Sequence, residues 1–403
     1  MLWKQRSRLD KIRGGDRNTN YFQRKASWRS KKNHISALRK EDGCLTENLE
    51  EMKGITNSFF KQLYSCDDSV DPSHIISLVN PLVSDDMNEE LCKPFTDQEI
   101  SDALFQMGPL KAPGPDGFPA RFFQRNWGLI KEDIIKAVQQ FFISGVMPEG
   151  INNTTIVLIP KIKNPQSIKD FRPISLCNVI YKIISKCLVN RLRPLLNGMI
   201  SPTQSAFIPG RLISDNALIA FECMHSLSTL KDLRGEFCAY KLDLAKAYDR
   251  VDWHFLQCMM GALGFAPRWI NWIMSCVTSV KFAVRFNGQL LESFSPSRGL
   301  RQGDPLSAYL FLFVAEALSL LLNDASARGS LQEFHLNRQV PGISHLLFAD
   351  DSMLFSKASI DQAIVIKNIL TKYEKETGQL LSPDKCSMMF GKKCSLENQV
   401  AIM

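Results

Sequence analysis

The chain has no Cys-x-x-Cys pair and no zinc-like Cys/His spacing, although it carries 11 cysteines and 6 histidines. That sets aside a zinc ribbon, a thioredoxin-like redox centre and a disulfide-stapled secreted domain. The cysteines read instead as reduced, mostly buried thiols of an intracellular protein. The N-terminus is charged rather than apolar, which argues against a signal peptide. The longest greasy run, Leu306 to Leu322, is interrupted by Glu316 and serines, so it reads as a core helix rather than a membrane span. No internal repeat or low-complexity tract stands out.

What the chain does have is length, a large apolar fraction and a localised charge. Its 403 residues are 45% hydrophobic, enough for a large core in two or three subdomains. Residues 1–40 hold 13 basic and 2 acidic side chains, so the net +8 lies in that arm and the remainder sums to −3. Trp3, Tyr21, Phe22 and Trp28 are interleaved with the cations. Basic charge with aromatics suits a polyanion, nucleic acid first. A solvated arm or a nuclear-import signal accounts for it equally well.

After the arm, apolar residues at helical spacing predict a helix over residues 48–63, followed by a polar linker containing Pro72 and Pro81. Thr96 and Glu99 form a capping box for the next helix, and Pro109 to Gly117 must be a rigid loop. Helices are expected over 127–144 and 178–196, with a strand at Thr155–Ile159. Downstream, residues 236–244 alternate as a strand with Phe237, Ala239, Lys241 and Asp243 on one face. Asp252 caps a helix, Pro267 opens another, and Asn287-Gly288 marks a hairpin between Val280–Phe286 and Leu290–Phe294. A long helix from Asp304-Pro305, an acidic hairpin, a helix over 361–378 and a strand at Cys386–Phe390 complete an α+β pattern. The sequence divides into 1–95 (arm, helix and linker), 96–235 and 236–403.

The acidic hairpin carries the chemistry. Asp350 and Asp351 sit between His345–Phe348 and Ser352–Phe355, two short apolar runs that suit paired strands. Two carboxylates about 4 Å apart repel by roughly 4 kcal/mol at an effective dielectric near 20. A turn needing only to reverse the chain does better with Asn-Gly, so a divalent cation is the expected compensation, with a solvated acidic turn as the alternative. Asp243 ends an otherwise apolar strand. Should that strand lie beside the hairpin, the three aspartates converge on an oxygen site for two Mg²⁺ ions; otherwise Asp243 pairs with Lys241 or Lys246. Ser297 to Ser307 joins hairpin to helix through Arg298, Gly299, Arg301, Gln302 and Gly303, a composition suited to ligand contact. Lys161 and Arg172 sit in apolar surroundings and suit a triphosphate, or a salt bridge each.

Tyr240 to Val251, then Gly299 to Ser307, then Phe348 to Asp351 resemble reverse transcriptase motifs A, B and C in order and spacing, in the form found in LINE-type non-LTR retrotransposons of plants. Lys111 to Gly117, Phe171 to Ser175, Gln204 to Arg211 and Arg13 to Phe22 are similar to further segments of that family. The resemblance implies a right-hand fold of fingers (96–235) and palm (236–403), with an antiparallel palm sheet backed by helices. It implies Asp243, Asp350 and Asp351 as catalytic residues and metal ligands, with the Leu244 carbonyl, for two Mg²⁺ or substituting Mn²⁺. Lys385 becomes the acid for departing pyrophosphate, and Lys161, Arg172, Tyr248, Gln302 and Gly303 the nucleotide contacts, with Tyr248 excluding a 2′-hydroxyl. Lys111, Gly114, Asp116, Gly117, Arg211, Arg298 and Arg301 become nucleic-acid contacts. The implied activity is RNA-directed DNA synthesis on an RNA template and DNA primer with dNTP, in the nucleus at least part of the time, with no membrane or obligate protein partner. The family continues past this chain into a thumb, and no endonuclease, RNase H or Cys/His knuckle is recognised, so a piece of a longer polyprotein or a decayed copy is expected. The rival readings are an inactive nucleic-acid-binding remnant and an RNA-templated RNA polymerase, against which Tyr248 argues.

Overall fold

The computed structural model describes residues 24, 27–29, 31–66, 70–229, 236–337 and 339–402. Most of the basic arm, including Arg13 to Phe22, lies outside the described residues. Two short strands, β1 (Leu38–Arg39) and β2 (Leu45–Thr46), precede helix α1 (Leu49–Leu63). Asn48 caps α1 by accepting from the Glu50 and Glu51 N–H groups, and Met52, Thr56 and Phe60 form its buried stripe.

The stretch expected as a linker folds into α2 (Ser73–Ser77) and α3 (Asp85–Cys92). Ile75, Val83, Leu91 and Phe95 are all buried in the main core. Each of these short elements buries only one or two apolar residues, too few to set up a period, so the polar composition dominates the sequence pattern. The expected capping box on α4 (Asp97–Phe105) is present, and α5 (Ala120–Arg125) and α6 (Trp127–Ser144) follow, α6 ending at the left-handed Gly145.

Next come β3 (Asn153–Pro160), β4 (Phe171–Cys177), α7 (Val179–Leu192), α8 (Leu196–Met199) and α9 (Ile213–Thr229). The remainder runs β5 (Phe237–Leu242), α10 (Trp253–Ala262), α11 (Pro267–Thr278), β6 (Lys281–Phe286), β7 (Gln289–Leu290), α12 (Ser307–Ala327), β8 (His345–Phe348), β9 (Asp351–Lys357), α13 (Ile360–Thr377), β10 (Ser387–Phe390) and α14 (Leu396–Ile402). Helix α12 is long and apolar enough to cross a membrane, but it is enclosed: Leu310 to Val314 are all buried in the core.

Two four-stranded sheets organise the fold. One has the order β10-β5-β9-β8 and is antiparallel throughout. Its alternation sends Cys238, Tyr240, Leu242 and Leu354 into the main core, and Ala239 and Phe355 toward Cys223 and Leu227 of α9. The other has the order β4-β3-β6-β7, with β3 and β6 parallel. The Asn287-Gly288 hairpin therefore joins strands from the 96–235 segment rather than the sheet that carries the acidic hairpin. Its expected second strand is short: only Gln289–Leu290 is strand, with Phe294 bridging back to Phe282. Helix α1 covers β6, packing Met52, Phe60 and Tyr64 with Phe282, Val284 and Phe286. The Asn287 side chain also exchanges hydrogen bonds with both main-chain groups of Ile35 (2.9 and 2.8 Å).

Candidate active site

Strand β5 stops at Leu242, and the chain then runs beside residues 380–382. The Ala245 N–H donates to the Leu380 carbonyl (2.7 Å) and the Ser382 N–H to the Asp243 carbonyl (2.8 Å), while Leu244 bridges Leu381. On the adjacent strand Leu242 faces Ser352, which places Asp243 and Asp351 on the next rung. Phe348 pairs with Asp351, leaving Ala349-Asp350 as a two-residue turn. Ala349 takes a φ of 55°, uncommon without glycine or asparagine, and its N–H is held by Gln204 Oε1 at 3.0 Å. Gln204 is in turn strapped to β8, for the Ser205 N–H reaches the Leu347 carbonyl and the Leu347 N–H the Thr203 carbonyl.

The carboxylates lie within one another's field. Partial burial, then Asp351 and Asp243, push the Asp350 carboxyl above its ordinary range, and Arg172 pulls the other way. Asp243 pairs with neither Lys241 nor Lys246. Its Oδ1 accepts from Lys385 Nζ at 3.0 Å.

Across from the acids is a cavity of 290 Å³, lined by Arg172, Tyr248, Gln302, Gly303 and Asp350 among others. The Tyr248 ring stacks on Phe311 (centroids 4.8 Å apart, planes at 17°), and burial, then Asp350, raise its hydroxyl's pKa. Gln302 is placed by β4, because its carbonyl accepts the Ser175 N–H at 2.8 Å. Gly303 has a φ of 111°, and an added Cβ would stand 3.1 Å from the Ser175 carbonyl. Only glycine meets both conditions comfortably. Lys161 leaves the end of β3, where burial and then the like charges of Lys385 and Arg172 lower its pKa. Lys246, at a φ of 57°, is lowered likewise by burial and by Lys161, Lys385 and Lys169, despite the attraction of Asp249.

A family model described as reverse transcriptase (RNA-dependent DNA polymerase) matches residues 159–398. The chain belongs to the reverse transcriptase family. This reverse transcriptase domain is 31% identical over 360 residues to the transposon TX1 uncharacterized 149 kDa protein of Xenopus laevis, covering 88% of this chain and 27% of that protein. It is 26% identical over 301 residues to the retrovirus-related Pol polyprotein from the type-2 retrotransposable element R2DM of Drosophila melanogaster, covering 74% and 26% respectively. A 66-residue stretch is 50% identical to an uncharacterized mitochondrial protein of Arabidopsis thaliana, covering 16% of this chain and 54% of that protein. The chain spans about a quarter of the length of the first two relatives. With the family match they mark it as the reverse transcriptase domain of a non-LTR retrotransposon.

Two arginines expected on nucleic acid are engaged by the protein's own groups, though Arg301 also lines the cavity. Arg301 is buried: it bonds Asn152, Thr154 and the Cys276 carbonyl, pairs with Asp304 at 3.0 Å and stacks over Tyr181. Arg211 clasps the carbonyls of Asn197, Ile200, Ser201 and Gln204, which closes the loop that carries Gln204. Arg298 is half-buried and gives its Nε to the Leu63 carbonyl at 2.9 Å. A guanidinium's donors read the same in sequence whether they meet phosphate or carbonyl. Lys111 is exposed on the rigid loop, and Gly114 is pressed against the start of α7, where a Cβ would lie 2.4 Å from the Asn178 backbone nitrogen. The Asp116 N–H uses the same anchor, donating to Asn178 Oδ1 at 3.2 Å, and Gly117 closes the turn at a φ of 78°.

Sequence reasoning did not assign roles to Gln204, Tyr64 or Asp249, and offered Lys246 only as a partner for Asp243. Asp249 is fully buried; burial pushes its carboxyl up to about 6, and its Oδ1 accepts from the Tyr64 hydroxyl at 2.7 Å. The one available signal was a carboxylate directly after Tyr248 in a segment already rich in chemistry.

Whether the acids fit a metal is decided by their charge. Among the described residues no group of three or more His, Cys, Asp or Glu side chains is closed into a metal-holding cluster. Asp243 is engaged by Lys385 instead. The donors are nevertheless all hard oxygens, and Asp350 is partly buried in the field of Asp351 and Asp243. That combination fits a divalent cation such as Mg²⁺.

Proposed function

We propose that this domain extends a DNA primer along an RNA template, joining a deoxynucleotide to the primer 3′-hydroxyl and releasing pyrophosphate. The observation that carries this reading is that Asp350 and Arg172 line one cavity, with Lys161 in the field of Arg172 and Lys246 in the field of Lys161. The two lysines lie in each other's field with too little negative charge nearby, so a polyanion relieves them. Tyr248, stiffened by Phe311, forms the floor that a 2′-hydroxyl would strike, and Gln302 and Gly303 form the facing wall.

Asp243, Asp350, Asp351 and the Leu244 carbonyl would hold Mg²⁺, with Mn²⁺ as a substitute, and the bound metal supplies charge neutralisation at the reacting phosphate. Lys385 would leave Asp243 as the metal arrives and turn to the phosphates. Lys111 and the 114–117 loop, seated on α7, would follow the template backbone. On the same reading the β10-β5-β9-β8 sheet with α9, α12 and α13 is the palm of a right hand, and the β4-β3-β6-β7 sheet with α4 to α6 belongs to the fingers. We read the source as a plant element, which the 66-residue match in Arabidopsis thaliana supports, acting in the nucleus, which the basic arm suits.

The test is primer extension on poly(rA)/oligo(dT) with MgCl₂ and dTTP. Extension by the wild type and none by Asp350→Asn is expected. RNA binding without extension by either protein would instead mean an inactive remnant, and a preference for UTP an RNA polymerase.

A further inference from the structure

The turn Tyr248–Arg250 sends neighbouring side chains in opposite directions: Tyr248 into the cavity and Asp249 into the interior. Asp249 is poorly served there. One oxygen accepts the Tyr64 hydroxyl, and the other has no hydrogen-bond partner among the described residues. A buried carboxyl with a single side-chain bond is expensive, and a turn needing only an anchor would use an apolar residue.

Tyr64 binds more than Asp249. Its carbonyl accepts the N–H groups of Ser297 (2.8 Å) and Arg298 (3.3 Å). From there the Gly299 N–H donates to the Val251 carbonyl (2.8 Å), the Leu300 N–H to the Tyr248 carbonyl (2.7 Å), and the Trp253 indole N–H to the Gly299 carbonyl (2.8 Å). Gly299, at a φ of 94°, is where the strands of this knot touch. An added Cβ there would come within 2.7 Å of the Asp249 carbonyl and 2.8 Å of the Tyr64 ring. Both walls of the cavity thus leave one knot: Tyr248 on one side, and Gln302 and Gly303 a few residues beyond Gly299 on the other.

We infer that Tyr64 and Asp249 are a positioning pair that sets the spacing of the nucleotide pocket, and through Tyr248 its choice of sugar, without touching the nucleotide. This rests on the reading of the cavity as a deoxynucleotide site. It gives the helix Leu49–Leu63, which precedes the matched family region, a part in substrate selection. Losing the hydroxyl leaves Asp249 buried without its side-chain hydrogen bond among the described residues, so the turn relaxes and the tyrosine floor moves with it. Displacements of this kind act on substrate affinity and alignment rather than on the reacting groups.

Two measurements on Tyr64→Phe test it: direct binding of dTTP in the presence of Mg²⁺, and steady-state insertion of dTTP against UTP on poly(rA)/oligo(dT). The variant keeps the ring and its packing; Asp249→Asn is the harsher companion, checked by thermal melting. The expected result for Tyr64→Phe is about tenfold weaker dTTP binding and a matching rise in KM. Alongside it should come a kcat within about threefold, a reduced preference for dTTP over UTP and unchanged primer–template affinity. Unchanged KM and sugar preference, or a fall in kcat alone, would overturn the inference. If the wild type itself binds no dTTP, the polymerase reading falls and the pair's role falls with it. If the wild type binds and Tyr64→Phe binds equally well, only the positioning role falls.

Discussion

Lys385 Nζ lies 3.0 Å from Asp243 Oδ1, and the two side chains come from segments 142 residues apart. If Asp243 holds Mg²⁺ as proposed, Lys385 would compete with the metal for it, and exposed pairs of this kind contribute roughly 0.2–1 kcal/mol. Lys385→Ala should lower the MgCl₂ concentration for half-maximal extension about two- to fivefold. The maximal rate should fall at the same time if the lysine also serves the leaving pyrophosphate. A magnesium titration of primer extension reads both quantities.

Asp350 is strained by its own charge. Because burial and two neighbouring carboxylates hold its pKa up, replacing it with a neutral isostere relieves repulsion. Asp350→Asn should unfold at a temperature equal to or above that of the wild type, and bind template–primer at least as well without Mg²⁺, while extension drops about a thousandfold. Differential scanning calorimetry and filter binding separate these effects. A large loss of stability would contradict the electrostatics.

Gly303 meets two demands at once, a φ of 111° and a close pass by the Ser175 carbonyl. Gly303→Ala should cost about 1–3 kcal/mol of stability and raise KM for dNTP. Urea melts and single-nucleotide kinetics measure the two.

Glu316 of α12 is buried against Ser201, and burial pushes its carboxyl up to about 7. A raised folded-state value means stability that is full below the unfolded pKa of about 4.3 and lost as pH climbs through about 7. Glu316→Gln keeps the contacts to Ser201 without the charge. Its stability relative to the wild type should improve between pH 5 and pH 8 by an amount on the order of 2 kcal/mol. His345, held near 4 by burial, runs in the opposite direction as pH falls, but it is common to both proteins and cancels in the difference. Urea melts at the two pH values give the comparison.

Much of this was legible in the amino-acid order. The three aspartates stand out in the sequence because an acidic pair between apolar runs, and a third acid ending an apolar strand, are costly without a purpose, and the fold sets Asp243 and Asp351 on neighbouring strands. Thr96 and Asp252 cap helices where local chemistry places them. What escaped was set by tertiary approach. Nothing local says that Lys385 rather than Lys246 meets Asp243, or that Arg301 is sealed under Tyr181. Asp249 hid beside Tyr248 because a tight turn sends adjacent side chains to opposite environments. Residues 70–95 looked like spacer because their few buried side chains are too widely scattered to show a period.

The cover that α1 gives β6 bears on where this domain can be trimmed. A shortened version beginning at residue 96 would keep Asp243, Asp350 and Asp351 and still bare Phe282, Val284 and Phe286 to water, and it would free the turn that Asn287 fastens to Ile35. Such a fragment should self-associate. The smallest soluble unit accordingly starts upstream of Ile35, well before the first recognisable polymerase motif.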